Sequence, residues 1–195
     1  MSLILGSHSP RRKEILQFFS IPFTQIASEF DESTVPFSGD PRDYVKTLSQ
    51  KKAETLHIDY ADRTILTADT VVFCDGKIYN KPESKEEATQ FLQELSNRWH
   101  SVFTAITLYH KQKIDTEVEE TQILFHPLTT DQIHKYLKHV NYLDKAGSYA
   151  IQQGGSILID RMQGCYYNVM GLPIGSLKRL LLLADIDLWD YLKIL

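Results

Sequence analysis

An apolar run, Leu3-Ile4-Leu5, stops at a small-residue turn and passes straight into GSHSPRRKEIL, Gly6 to Leu16. No other stretch constrains the fold as much. Ser9 stands where a helix N-cap belongs, and Pro10 takes the first helical position. A strand that runs at once into a helix is the unit from which sheets with covering helices are built. The helix nevertheless begins with Arg11, Arg12 and Lys13. Three cations thus sit at the positive end of the helix dipole, where acidic side chains are favoured. One reading is a solvated basic turn, screened and partly met by Glu14. The other is a phosphate site. First-turn N–H groups lack partners, Ser7 and Ser9 add hydroxyl donors, and Gly6 lets a ligand approach the backbone. A locally unfavourable cluster is expected where a ligand supplies the missing negative charge. On that reading, removal of Arg12 leaves the stability of the free protein level or slightly higher. The segment matches neither GxxxxGK[ST] nor GxGxxG. From these residues alone both readings stay open.

Beyond this junction, strand and helix signals alternate, which predicts an α/β or α+β fold. The helix from Pro10 runs to about Phe19, burying Ile15, Leu16 and Phe19. A strand is expected over 23–27, a loop over 29–40, and a helix from Pro41 toward His57. TILTADTVVFCDGKIYNKP reads as a strand, an exposed polar break at Asp69-Thr70, and a hairpin turning at Asp75-Gly76. Ser84 and Glu87 have capping-box spacing for a helix to Leu95. Strands over 101–109 and 115–125 and a helix from Thr130 follow. KAGSYAIQQGG reads as turn, short strand, turn; 157–162 is a strand, and Pro173 opens a leucine-rich helix. No linker or repeat interrupts the 195 residues, so one domain over 1–195 is expected. The formal net charge of -4 disfavours a nucleic-acid binder, and any phosphate site must be a local patch. Cys74 and Cys165 form no CxxC pair, which suits a reducing cytoplasm. No signal peptide is visible, and no apolar run approaches the ~20 residues of a membrane span.

Several side chains are candidates for chemistry. Asp69, between Ile65-Leu66 and Val71-Val72-Phe73, is either a turn acid bonded to backbone or a metal ligand or general base at a strand end. Asp31-Glu32 is a second acidic pair on a loop. Hard oxygen ligands without a His/Cys cluster favour Mg²⁺ or Mn²⁺. Lys81 precedes Pro82 and is biased to an extended backbone, from which it can point at a ligand. Lys51 and Lys52 lie on the helix after Pro41. Gln152 offers a donor and an acceptor for a base edge or a water.

Taken together, GSHSPRRKEIL, ADTVV, NKP, DKAGSYAIQ and GCYYNVMGLPI occur in the order seen in the Maf-like nucleotide pyrophosphatases, the septum formation inhibitor family, and the chain resembles that family over nearly its whole length. The resemblance implies a cytoplasmic α/β (mixed α+β) protein with an elongated, twisted mixed sheet flanked by helices, related to the ITPase architecture, and two lobes about a central cleft. It implies hydrolysis of nucleoside triphosphates to the monophosphate and pyrophosphate with a divalent cation, Mg²⁺, Mn²⁺ or Co²⁺. Carried onto this chain, substrate contacts fall on Ser7, Ser9, Arg11, Arg12, Lys52, Thr70, Lys81 and Gln152. The metal falls on Glu32 and Asp69, and Asp69 is the catalytic acid. The full SPRR, Thr70 and Gln152 resemble the branch acting on dTTP and UTP. Asn97 and Ala150 replace glycines common in the family, and Gln153 follows Gln152, a departure that bears on the register of that loop. The nucleotide is the expected partner, nucleic acid and membrane are not, and a homodimer is left open. The rival reading is a nucleotide-binding regulator of cell division or septum formation with weak or no turnover; it would not need both Asp69 and Glu32.

Overall fold

The computed structural model describes residues 3–193. Its strands form one mixed sheet of seven, in the order β2-β1-β3-β5-β6-β7, with β4 pairing β3 off this path. Strand β1 (Leu3–Gly6) leads into α1 (Pro10–Leu16), which returns the chain to β2 (Phe23–Gln25), parallel to β1. Helix α2 (Pro41–Asp59) then crosses to β3 (Thr64–Cys74), parallel to β1 on its other side. Everything beyond is antiparallel: β4 (Lys77–Tyr79) and β5 (Trp99–His110) both pair β3, β6 (Lys113–Phe125) pairs β5, and β7 (Ile159–Gln163) pairs β6. Helices α3 (Lys85–Leu95), α4 (Thr130–Leu137), α5 (Tyr166–Val169) and α6 (Ile174–Leu182) complete the fold.

Side chains alternate along β3 with the period of two that a strand imposes. Leu66, Ala68, Val72 and Cys74 enter the main core, which α1, α3, α4 and α6 cover with Ile15, Leu92, Ile133 and Leu177. Ile65, Val71 and Phe73 point the other way, to smaller clusters that also hold Val45 and Leu56 of α2. The two crossovers run in opposite directions past β1, so right-handed connections set α1 and α2 on opposite faces of the sheet. Burying a leucine such as Leu66 or Leu92 contributes about 1.5–3 kcal/mol, and both faces of the central strands gain it.

Several local expectations hold and several are corrected. Ser84 Oγ accepts from the Glu87 amide at 3.1 Å, while the Glu87 carboxylate reaches back to the Glu83 amide at 2.7 Å. Thr129 and Gln132 form a reciprocal capping box at the start of α4. Helix α1 ends at Leu16, short of Phe19, because the chain turns there and Phe19 bridges to Leu192. Residues 149–152 form no strand; the Ala150 amide donates to the Tyr136 hydroxyl at 3.1 Å instead of to a sheet partner. The last strand begins at Ile159, after a 3-10 segment from Gln153 to Leu158. The predicted break at Asp69-Thr70 does not exist: β3 runs through it, with Asp69 opposite Ala105 and Thr70 opposite Thr104. No described helix is long and apolar enough to cross a membrane.

Candidate active site

Strand β1 pairs with β3 only as far as Gly6 opposite Thr67. There β1 ends in the Ser7–Ser9 turn while β3 continues, so Asp69 and Thr70 stand beside the loop that leaves the carboxyl end of a parallel strand. That is where α/β sheets place their ligands. Asp69 is therefore mid-strand in β3, yet at the end of its neighbour. A cleft of about 480 Å³ opens at this point. The ten side chains to which the family resemblance points all line it, Ser7, Ser9, Arg11, Arg12, Glu32, Lys52, Asp69, Thr70, Lys81 and Gln152, whereas Lys13, Asp31 and Lys51 do not.

One wall belongs to α2. Its inward stripe runs Val45, Ser49, Lys52, Leu56, the i, i+4, i+7, i+11 spacing of a buried helix face. Lys52 thus occupies a position where an apolar residue is the rule. Its ammonium meets Asp69 Oδ1 in a very short contact and Glu32 Oε1 at 2.7 Å. Glu32 arrives on a 3-10 turn (Glu32–Thr34) capped by Asp31, whose carboxylate accepts from the Ser33 amide at 3.0 Å. Of the acidic pair, Asp31 therefore organises the turn and Glu32 faces the cleft. Burial pushes the Asp69 carboxyl up, and the nearby Glu32 charge adds to this, against the pull of Lys52 and Arg12. Burial also acts on Glu32, but Lys52, Lys81 and Arg12 outweigh it and hold that carboxyl below its ordinary value. Two carboxylates sharing one ammonium are thereby driven apart in acidity, with Glu32 the anion and Asp69 the readier proton acceptor.

The opposite wall is the SPRR turn, and its cations are largely answered by the protein. Arg12 lies inside the fold. Its Nε donates to the Gly171 carbonyl at 2.8 Å, Nη1 to Ser7 Oγ at 3.1 Å and Nη2 to Thr70 Oγ1 at 3.0 Å. Burial lowers its pKa, and the Asp69 charge opposes that. Gly171, at φ +99, turns its carbonyl to this guanidinium, and a Cβ there would fall 3.1 Å from Thr70 Oγ1 and 3.3 Å from Arg12 Nε. Arg11 reaches across the cleft toward Asp144. Ser9 Oγ caps α1 by accepting from the Arg12 amide at 3.4 Å, and Ser7 Oγ accepts from the Ser9 amide at 3.1 Å. Both hydroxyls shape the turn. Gln25 Nε2 holds it from β2, donating to the Ser7 carbonyl at 2.7 Å. Gly6 has a packing reason: a Cβ there would sit 2.5 Å from Leu56 Cδ1 and 2.6 Å from Thr67 Cγ2. The crowding of charge at the helix start is thus offset by Gly171, Ser7, Thr70 and Asp144 as well as by any ligand.

Lys81 forms no ion pair among the described residues, and Gln152 sits 3.5 Å from Glu14 across the mouth. Sequence reasoning missed Tyr44, Asn80, Asp144 and Lys145, all of which line the cleft. Lys145 and Asp144 lie inside the DKAGSYAIQ motif; Tyr44, on α2, is half-buried, and burial raises the pKa of its phenol. No group of three or more His, Cys, Asp or Glu converges among the described residues. Two hard-oxygen donors, Glu32 and Asp69, suit a Mg²⁺-type cation that completes its shell with water and substrate phosphate, and do not form an all-protein cage. On that donor chemistry the pair fits a divalent cation shared with substrate.

The model of the family described as Maf-like protein matches residues 2–184. A dTTP/UTP pyrophosphatase of Chlamydia caviae is 48% identical over 191 residues, 97% of this chain and 97% of the relative. A dTTP/UTP pyrophosphatase of Chlamydia trachomatis serovar D is 41% identical over 191 residues, again 97% of each. A nucleoside triphosphate pyrophosphatase of Chlamydia pneumoniae is 46% identical over 194 residues, 98% of each.

Proposed function

This chain belongs to the Maf-like protein family, and from that premise we propose that it hydrolyses dTTP and UTP to the nucleoside monophosphate and pyrophosphate. The observation that supports this reading best is the pairing of Asp69 and Glu32 through Lys52 in one cleft with Arg11 and Lys81. A triphosphate carries three to four negative charges at neutral pH. Arg11, Lys52 and Lys81 line the cleft at positions to neutralise them, and the buried charge of Arg12 lies behind.

Hydrolysis at the α-phosphorus needs a water deprotonated near the phosphate and a stabilised leaving group. Asp69, with its raised pKa and its place inside the sheet, accepts the proton of the attacking water. The new bond forms between water oxygen and the α-phosphorus, and the bond to the α,β-bridging oxygen breaks. Pyrophosphate leaves with the electron pair, and Arg11 and Lys81 stabilise the charge that develops on it. A divalent cation held by Glu32 and Asp69 would neutralise phosphate charge and lower the pKa of bound water. Lys52 orients both carboxylates by holding one oxygen of each. Thr70 and Gln152, which also line the cleft, supply hydrogen-bonding groups for a pyrimidine edge.

The test is a turnover screen of dTTP, UTP, ATP and GTP with Mg²⁺, Mn²⁺ or Co²⁺ and with chelator, resolving pyrophosphate from orthophosphate. Cation-dependent release of pyrophosphate, with dTTP and UTP far ahead of the purines, is expected. Orthophosphate as the sole product, or a preference for purine triphosphates, overturns the assignment.

A further inference from the structure

Arg11 and Lys145 both line the cleft, and one acid side chain engages both. Asp144 Oδ2 lies 3.6 Å from Arg11 Nη1, and Arg11 Nη2 donates to the Asp144 carbonyl at 3.3 Å. The other carboxylate oxygen, Oδ1, accepts from Lys145 Nζ at 2.5 Å, and the same ammonium donates to the Asn141 carbonyl at 2.6 Å. The remaining acids of the cleft, Asp69 and Glu32, are held by Lys52. Asp144 is thus the anion that answers the cations at the mouth.

The contact to Arg11 is built to be given up. It is long, and the Asp144 side chain is 41% exposed, so water competes for both partners and the pair is worth little. Phosphate oxygens offer a guanidinium the short, bidentate geometry that this carboxylate does not reach. A phosphate that takes Nη1 and Nη2 of Arg11 together competes with Asp144 for those donors, and the two anions repel each other in one cleft.

Resting on the triphosphate reading above, we infer that Asp144 is an internal competitor for substrate phosphate. It holds Arg11 and Lys145 against weakly charged ligands, yields them to a triphosphate, and takes them back to drive pyrophosphate out. Asp144 therefore sets how strongly the cleft discriminates by phosphate charge, acting through Arg11 and Lys145 and not on the reacting atoms.

The sign of this effect separates it from a structural role, since loss of a structural contact does not tighten a ligand. Inorganic pyrophosphate with Mg²⁺ is titrated calorimetrically into the parent, Asp144→Asn and Asp144→Glu. Asparagine keeps the shape and an acceptor for Lys145 but removes the charge. Pyrophosphate should bind Asp144→Asn about tenfold tighter at low salt, roughly 1.4 kcal/mol, and the gain should shrink as salt screens it. Asp144→Glu should stay within about threefold of the parent. In turnover, KM for dTTP and kcat should both fall in Asp144→Asn as product release slows. Asp144→Ser serves as a second neutral variant if asparagine does not fold. Unchanged or weaker pyrophosphate binding in a folded neutral variant overturns this inference and leaves the triphosphate reading standing. A parent that binds no pyrophosphate and cleaves no triphosphate overturns both.

Discussion

Replacing Arg12 by methionine asks how much of the free protein's stability rests on a residue that also faces the substrate. Methionine keeps the length and the apolar stem and removes three donors. Ser7 Oγ still accepts from the Ser9 amide at 3.1 Å, and Thr70 Oγ1 still has Thr104 Oγ1 at 2.9 Å. The Gly171 carbonyl loses the donor that Arg12 supplies at 2.8 Å. An orphaned buried carbonyl costs about 1–3 kcal/mol, and a hydrogen bond from a charged donor contributes about 1.5–3 kcal/mol. Relief of cation crowding at the start of α1 returns only a few tenths of a kcal/mol, the scale of a charge–dipole interaction. The net expectation is a loss of about 2–4 kcal/mol, or roughly 2–4 °C of melting temperature per kcal/mol for a chain of this length. Urea denaturation of the nucleotide-free protein, with parent and variant m-values compared, measures it. A variant at least as stable as the parent would show that the three bonds carry no net energy, and the reasoning from buried geometry would fail.

Asp69→Asn should keep the fold, since Asn retains the shape and Lys52 keeps Glu32, while turnover drops by roughly 10²-fold or more. The pH–rate profile should show an acid limb above the ordinary aspartate range, because burial, together with the Glu32 charge, raises the group that must be ionised. The same shift has a stability sign. The contribution of Asp69 is full below its unfolded pKa and is lost as pH rises through its raised folded value, so the stability of Asp69→Asn relative to the parent should improve with pH across that window. Glu32 acts oppositely: its depressed pKa gives stability that is lost as pH falls through the folded value, and Glu32→Gln should narrow the gap to the parent in acid. Lys52→Met leaves two carboxylates facing each other without their shared cation, and should move the acid limb to higher pH while lowering turnover.

Local chemistry made much of this protein legible. Ser9-Pro10 and Ser84 mark helix starts because capping depends on neighbours in sequence. The ten cleft side chains were reached through motif resemblance more than through their own environments. Lys52 shows what a residue-level reading left unused: a lysine in the Val45–Leu56 stripe is a charge in a buried row, which already asks for a buried acid. Asp69 was misread as an exposed break because burial of an aspartate inside a strand makes sense only once Lys52, distant in sequence, is brought to it. The partners of Arg12 in the free protein, Gly171 and Thr70, were not legible because they lie far along the chain. Residues 149–152 have strand-like composition, but the Tyr136 hydroxyl takes the Ala150 amide, and that competition is tertiary.

The consecutive residues Asp69 and Thr70 open a route to redesign. As neighbours on a strand they project to opposite faces of the sheet: Asp69 toward Lys52 of α2, Thr70 toward Arg12 of α1. The acid–ammonium pair and the hydroxyl–guanidinium pair are therefore separated by the sheet itself and share no side chain. A library that varies Thr70 with Thr104 can probe base selectivity on one face, while Arg12, whose charge acts on both carboxylates, is kept fixed. A one-residue insertion upstream in β3 would do the reverse, exchanging the two faces and disabling both at once.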